Sequence, residues 1–459
     1  MPANSTKNTT DLTSGSLWKA IPLFALPVAA TSILEQLSNL IATVIIGNFS
    51  GPDGTLAMAA VGSNVPLTSL ILNLFIGISL GSNVVIANAI GRGDGTTVNK
   101  AVHTSILMAL AGFVVLAAGE LLAEPLLLAL NVPAETLPQA SLYLRVFLLG
   151  MPSILLYNFE AAIFRSVGIT RMPLQALIVS TVLNIALDLV FVPVLRWGVV
   201  GVAAATVIAY TVSAATLFIR LLKTTSPVRV NPRDLRFDIP VLKRIIRIGL
   251  PAGVQSAVFS VANIIIQAAI NSLGTEVMAA SSAAMSLEYV CYNLLNAFSQ
   301  ACTTFVGQNF GARKIDRCTS SLKVCLVEDG IVAALMIFFI VFFGRQILAL
   351  FNGDPNIVDI GYIRVCSIFP AYAFSMCYEN MSGYLRGFGI SLAPAVLTAL
   401  GVCGIRFFWI GCVFPTSRTF ATIMLVYPIS LGVTAFLIFI ALMVFRPARM
   451  YRQGRMKAI

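Results

Sequence analysis

Polar and charged side chains are scarce in this chain, and those that interrupt its apolar stretches recur at helical spacing. Ser32, Gln36, Asn39 and Thr43 follow one another at steps of three or four, with Glu35 beside them. On a helix such steps make one polar face. Ser256, Ser260, Asn263, Gln267 and Asn271 repeat the pattern further along. For a single Ser or Thr, hydrogen bonding between helices is the simpler reading; for two such stripes with amides and a carboxyl, a water-filled cavity is expected. Glu35, Glu160, Asp188, Glu288, Glu379 and Arg406 also stand in apolar surroundings. A carboxyl in such a place can exchange a proton, a metal cation or an organic cation. With Tyr157, Tyr292, Tyr372, Met285 and Met376 nearby, the chemistry is binding and release of lipophilic cations by charge and cation–π attraction. Covalent chemistry has no matching set, because His103 is the sole histidine and neither H-E-x-x-H nor G-x-S-x-G occurs. Gly91-Arg-Gly-Asp-Gly95 lacks the Gly-Lys-Ser/Thr of a phosphate loop and is expected to be a tight turn. No enzyme, cofactor or firm metal site is read here.

The elements that position these groups follow from composition. With 58% apolar and 11% charged residues, the chain reads as an integral membrane protein, since about 20 apolar helical residues cross a bilayer. Twelve spans are expected, near residues 19–46, 57–88, 100–122, 140–164, 172–193, 198–221, 244–271, 283–308, 322–344, 361–384, 392–414 and 420–445. The polar start lacks a signal peptide, and the Asn-x-Thr triplets at Asn4 and Asn8 read as chance matches. With both termini in the cytoplasm, only Arg145, Arg196, Arg345, Arg364 and Arg418 of the 30 Lys and Arg fall outside, and Arg406 falls within a span. That is the positive-inside pattern, so the net charge of +11 belongs to lipid headgroups rather than nucleic acid. The plasma or inner membrane is the expected location. All eight cysteines lie in the second half without C-x-x-C spacing, which argues against a disulfide or zinc framework.

The chain also repeats itself. Leu250-Pro251, Ser256 and Asn263 follow Leu26-Pro27, Ser32 and Asn39 at an offset of 224. Gly274-Thr275, Met278-Ala-Ala280, Asn293 and Gly311 follow Gly54-Thr55, Met58-Ala-Ala60, Asn73 and Gly91 at an offset of 220. Tyr362-Ile-Arg364, Arg386, Gly389 and Pro394 match Tyr143-Leu-Arg145, Arg165, Gly168 and Pro173. Six spans per copy keep both copies in the same orientation, so the fold class is all-α polytopic with two parallel six-helix repeats. The expected layout is a tail at 1–18, a first lobe at 19–221, a linker at 222–243, a second lobe at 244–445 and a tail at 446–459, with the binding cavity between the lobes.

Depth then ranks the candidates. Asp188 lies about 24 Å along an outward-running helix at 1.5 Å per residue, one turn after Asn184. Glu288, followed by Tyr292 and Asn293, reaches a comparable level, and so does Arg406. A buried Arg requires a counter-charge, so Arg406 is expected to pair with Glu288 or Asp188. Glu160 and Glu379 lie deeper toward the cytoplasm, one per half, where each either faces the cavity or snorkels to the interface. Glu120, Glu328 and Asp329 fall near span ends, where snorkelling to the interface is expected.

Val61-Gly-Ser-Asn64, Asn83-Val-Val-Ile-Ala87, Gly249-Leu-Pro-Ala-Gly253, Asn263-Ile-Ile-Ile-Gln267, Phe305-Val-Gly-Gln-Asn309 and Arg386 with Gly389 and Pro394 resemble the multidrug and toxic compound extrusion (MATE) family. The resemblance runs from about Trp18 to Phe445. It implies a V-shaped, two-lobed antiporter that exports organic cations in exchange for Na⁺ or H⁺, acting as a monomer among membrane lipids. Asn184 and Asp188 resemble the family's fifth-helix pair, where Na⁺ would sit, and Glu288 its eighth-helix Glu. Ala42 stands where many members carry a first-helix Asp, leaving Glu35, about two turns earlier, as the acid of that helix. The binding set expected is Asp188, Glu288, Glu35, Gln36, Asn39, Asn184, Asn263, Gln267, Tyr292, Asn293, Glu379, Glu160 and Arg406. A flippase for lipid-linked saccharides is the alternative within the same architecture.

Overall fold

The computed structural model describes residues 11–51, 54–130, 132–350 and 354–455. Asn4 and Asn8 lie outside them. Helix α1 spans Leu17–Phe49, α2 Gly54–Gly91, α3 Gly95–Met108, α4 Ala111–Ala129, α5 Leu137–Leu149, α6 Met151–Ser166, α7 Arg171–Phe191 and α8 Gly198–Lys223. The second series is α9 Ile239–Asn271, α10 Thr275–Gly311, α11 Ile315–Ala349, α12 Pro355–Gly387, α13 Leu392–Thr398, α14 Ile405–Phe408, α15 Phe420–Met424, α16 Val426–Phe445 and α17 Pro447–Arg452. Strands are absent among the described residues.

Among the described residues, 10 helices are long and apolar enough to cross a bilayer, counting α3 with α4, the run from α13 to Thr416, and α15 through α17 as single spans. The α5–α6 pair, bent by 48°, makes up to 11. Its break falls at Gly150, directly before Met151-Pro152, where proline cannot donate to the preceding turn. Helix α10 is long enough at 37 residues but falls short in apolarity. Many of its polar side chains, among them Ser281, Glu288, Ser299, Thr303, Gln308 and Asn309, are buried in the protein, so hydropathy alone undercounts the spans.

Two compact units form. The first contains residues 30–86 and 94–246; the second contains 11–29, 87–93 and 247–459. In the first, α8 packs against α5, α6 and α7. The core there joins Ile45, Ile46 and Ala60 to Leu144, Ile154, Phe159 and Val202. In the second, α12 is the central helix, packed against α10, α11, α15 and α16. Its core joins Ile266, Leu295, Phe369, Met424 and Ile438. The start of α1 contributes Ile21, Phe24 and Val28 to a further cluster with Phe298, Phe305 and Phe310. Phe24 meets Phe305 edge-on at 5.8 Å.

The repeat has a physical counterpart within the second unit. A Cβ on Gly91 would lie 1.9 Å from the Gln308 carbonyl oxygen, and one on Gly311 would lie 2.0 Å from the Asn88 carbonyl oxygen. Gln308 stands at the repeat position of Asn88, so the ends of α2 and α10 cross backbone to backbone about a local pseudo-two-fold axis. The Gly91–Gly95 stretch is indeed a turn, with Gly93 at φ 72°. Asp94 caps α3 by accepting from Thr97 N at 3.0 Å and Thr97 Oγ1 at 2.6 Å.

Residues 224–238 between α8 and α9 are fastened to α3. His103 is buried, its ring nitrogens meeting Asn99 O at 2.7 Å and Asn231 N at 3.0 Å. Lys100 Nζ lies 2.9 Å from Asp238 Oδ2, and Thr104 Oγ1 accepts from Asp238 N at 3.2 Å. The Lys100 hydrogen bond, reinforced by Val241 N, holds the Asp238 carboxyl below the usual carboxylate range. A lowered folded pKa stabilises above the unfolded value of about 4 and is lost as pH falls through the folded value. Asp238→Asn is therefore expected to lower the thermal midpoint slightly at neutral pH, by less than about 1 kcal/mol after screening, and to lose less on acidification than wild type. Equal acid sensitivity in both proteins would show that this bridge does not contribute.

Candidate functional site

Each unit carries a buried polar cluster, and the two clusters differ in charge. In the first unit, Asp188 of α7 is 0% exposed and Asn184, one turn earlier, 4%. Ser38 Oγ of α1 donates to Asn184 Oδ1 at 3.0 Å. Both Asp188 oxygens and Asn184 Nδ2 have no hydrogen-bond partner among the described residues. Such a set can accept a cation or proton without first breaking an ion pair. Glu160 of α6 is likewise wholly buried with both oxygens unpartnered, as is the Tyr157 hydroxyl one turn before it. The Tyr157 and Tyr210 rings meet edge-on at 5.8 Å. Glu35 is half-buried and within electrostatic reach of Arg165, Tyr157 and Tyr210. Gln36 is half-buried and Asn39 exposed.

The second unit is governed by arginine. Arg364 of α12 donates from Nε to Glu288 Oε1 and from Nη2 to Glu288 Oε2 at 2.9 Å, a bidentate pair. Its Nη1 donates to Ser281 Oγ at 2.6 Å. Arg406 of α14 instead donates from Nη1 to Asn263 Oδ1 at 2.8 Å and lies over Phe259 at 5.0 Å and Tyr427 at 4.5 Å. Tyr427 also lies under Arg364, at 5.8 Å. A second pair joins Arg386 Nη2 to Glu379 Oε2 at 3.5 Å, where Tyr292 Oη donates to Glu379 Oε1 at 3.4 Å. Arg386 Nη2 also donates to Ser299 Oγ at 3.0 Å. Half-buried Gln267 donates to Asn271 Oδ1 at 2.8 Å, and half-buried Asn293 to Tyr289 O at 2.9 Å.

Three expectations are corrected. Arg406 does not pair with Glu288, because Arg364 takes both Glu288 oxygens; an amide oxygen and two aromatic faces hold Arg406 instead. Arg364 is not in an outer loop but buried at 2% exposure in the third turn of α12. That helix begins at Pro355 behind the cap Asp354, whose Oδ1 accepts from Asn356 N at 2.9 Å, and the Asp-Pro start was the readable signal. Glu328 and Asp329 do not snorkel: α11 starts at Ile315, which places both near its middle and buried. Glu120 is half-exposed and reaches Arg145 at 3.8 Å.

The stripes also resolve. Thr43 Oγ1 donates to Asn39 O at 2.9 Å and Ser256 Oγ to Ala252 O at 3.1 Å, each on its own helix, while Ser38 and Asn263 supply the bonds to other helices. Arg406 sits between two π-helical stretches, Ala399–Gly404 and Trp409–Val413. Such widened turns are frequent at functional sites.

The chain matches the MatE family profile over residues 27–190 and 251–409. It is 27% identical over 403 residues to "Probable multidrug resistance protein YoeA" of Bacillus subtilis, covering 85% of this chain and 86% of that one. "Probable multidrug resistance protein YpnP" of the same organism is 26% identical, with 98% of each chain covered. Among solved structures, "Crystal structure of MATE in complex with MaL6" superposes with a TM-score of 0.87 over 98% of this chain and 99% of that one, at 22% identity.

Proposed function

Because the chain belongs to the MatE family of multi-pass membrane transporters, we propose that it is a secondary active exporter of lipophilic cationic small molecules. Entry of Na⁺ or H⁺ drives export by alternating access. The observation that carries this reading is the buried, unpaired Asp188 carboxyl beside Asn184, an acid with no counter-charge that can take up a proton or a cation. The names of the two Bacillus relatives, both multidrug resistance proteins, support the substrate class. They lend no support to a saccharide flippase. Glu35 and Glu160 in the first unit and Glu379 in the second are further cation-binding acids in this reading, and the Tyr427 and Phe259 faces supply apolar contact in the second. Both termini lie in the cytoplasm in this reading, which the charge asymmetry of the loops supports. The protein acts as a monomer in the cell membrane.

Ethidium efflux from energised vesicles tests the proposal. A Na⁺ or proton gradient, applied alone, is expected to drive efflux by the wild type, and Asp188→Asn is expected to remove the driven component. Efflux that ignores both gradients, or that survives this isosteric change undiminished, would remove Asp188 from the mechanism.

A further inference from the structure

We propose that Asp329, held by Asn380, is a proton-carrying site inside the second unit, between α11 and α12. Asp329 and Asn380 are both 0% exposed. Asn380 Nδ2 donates to Asp329 Oδ2 at 2.6 Å and to the Met376 carbonyl at 3.0 Å. Asp329 Oδ1 and Asn380 Oδ1 are buried and have no partner among the described residues. The buried acids of α10 and α12 are treated differently. Glu288 has Arg364 and Glu379 has Arg386, whereas no cationic side chain pairs with Asp329 among the described residues.

An ionised Asp329 would be a buried charge without a counter-charge. A proton on Oδ1 removes that charge, keeps the Asn380 bond at Oδ2 and turns Oδ1 into a donor. A hard metal cation prefers a shell of about six oxygens. The side-chain oxygens at hand are two from Asp329 and one from Asn380, with Glu328 Oε2 on the adjacent residue. This donor set favours the proton.

The titratable groups around Asp329 are Glu379 and Cys377 from α12, Cys325 and Glu328 from α11, and Cys302 of α10 behind Cys325. Of these, Glu379 is already engaged by Arg386 and Tyr292. Asn380 follows Glu379 directly, so the helical turn that bonds Asp329 also carries the Glu379–Arg386 pair. A change of charge at Asp329 therefore acts on the same turn as that ion pair. The step is a proton transfer alone: Oδ1 takes a proton from hydronium and later returns it to water, with no change of oxidation state.

The proposal rests on the exporter reading, and its test separates the two. Infrared difference spectra of the full-length protein in lipid vesicles read the protonation state directly. The wild type is expected to show protonated-carboxyl carbonyl intensity that fades as pH rises, one component of which Asp329→Asn loses and Asp188→Asn retains. Asp329→Glu, which keeps an ionisable group, is expected to retain a titrating band. In ethidium-loaded vesicles, Asp329→Asn is expected to lose proton-driven efflux while keeping downhill ethidium exchange. An unchanged band in Asp329→Asn would overturn the proposal, as would undiminished proton-driven efflux. So would a sodium-dependent rise in thermal midpoint that requires Asp329 without any such band. If the wild type moves no ethidium under either gradient, the exporter reading fails and the infrared result alone decides the proton site.

Discussion

Replacing Arg364 with methionine is expected to destabilise the protein by about 3–5 kcal/mol, because Glu288 keeps its buried charge and loses its bidentate partner. Ser281 loses a donor at the same time. The reverse change, Glu288→Gln, leaves a buried guanidinium that still has Ser281 and the Tyr427 ring, and its cost is expected to be smaller. The double variant Glu288→Met with Arg364→Met removes both charges and is expected to recover most of the stability while losing the polar character of the site. Thermal unfolding of the purified proteins in one detergent reads all three. Additive losses in the double variant would mean that the two side chains do not act as a pair.

The glycine crossing gives a second large effect, with a built-in control. Gly311→Ala and Gly91→Ala each place a methyl group about 2 Å from a backbone carbonyl oxygen on the other helix. Backbone cannot yield as a side-chain tip does, so each is expected to cost more than the ~1–3 kcal/mol of ordinary overpacking. Gly62→Ala lies in the same helix α2 as Gly91 but meets nothing within 4 Å. It is expected to be neutral or stabilising by up to about 1 kcal/mol, the helix preference for alanine over glycine. Membrane yield and thermal midpoint of the three variants check the contrast. Comparable behaviour of Gly62→Ala and Gly311→Ala would contradict the tight crossing.

Much of this was legible in the sequence, and the exceptions have physical causes. The duplication gave the two six-helix series, and the repeated Gly91 and Gly311 turned out to be facing halves of one contact. Asp188 and Asn184 fall at the expected places along their helix because α7 begins close to its expected start. Arg364 was misplaced because its helix extends outward to Pro355, beyond the apolar stretch that marked the span. Asp329 was misplaced for the matching reason at the start of α11. The pairing of Arg364 with Glu288 required three dimensions: its repeat counterparts are Arg145 and Thr68, and Arg145 instead meets Glu120 at an exposed site. Apolar residues at Ile185 and Trp409 stand at the repeat positions of Arg406 and Asp188. Of the second unit's buried arginines only Arg406 is peculiar to its copy, since Arg364 and Arg386 match Arg145 and Arg165; the acids have diverged more, Glu288 standing opposite Thr68 and Asp188 opposite Trp409.

The strap ahead of α1 bears on whether the second half of the chain can stand alone. Asn309 Nδ2 donates to Leu12 O at 3.1 Å, Lys314 Nζ to Thr13 O at 2.8 Å, and Arg317 Nη2 to Ser14 O at 2.6 Å. With Phe24 against Phe305 and Gly91 against Gln308, the second unit is finished by pieces encoded in the first half of the gene. A polypeptide starting at Ile239 would therefore lack part of the second unit's core.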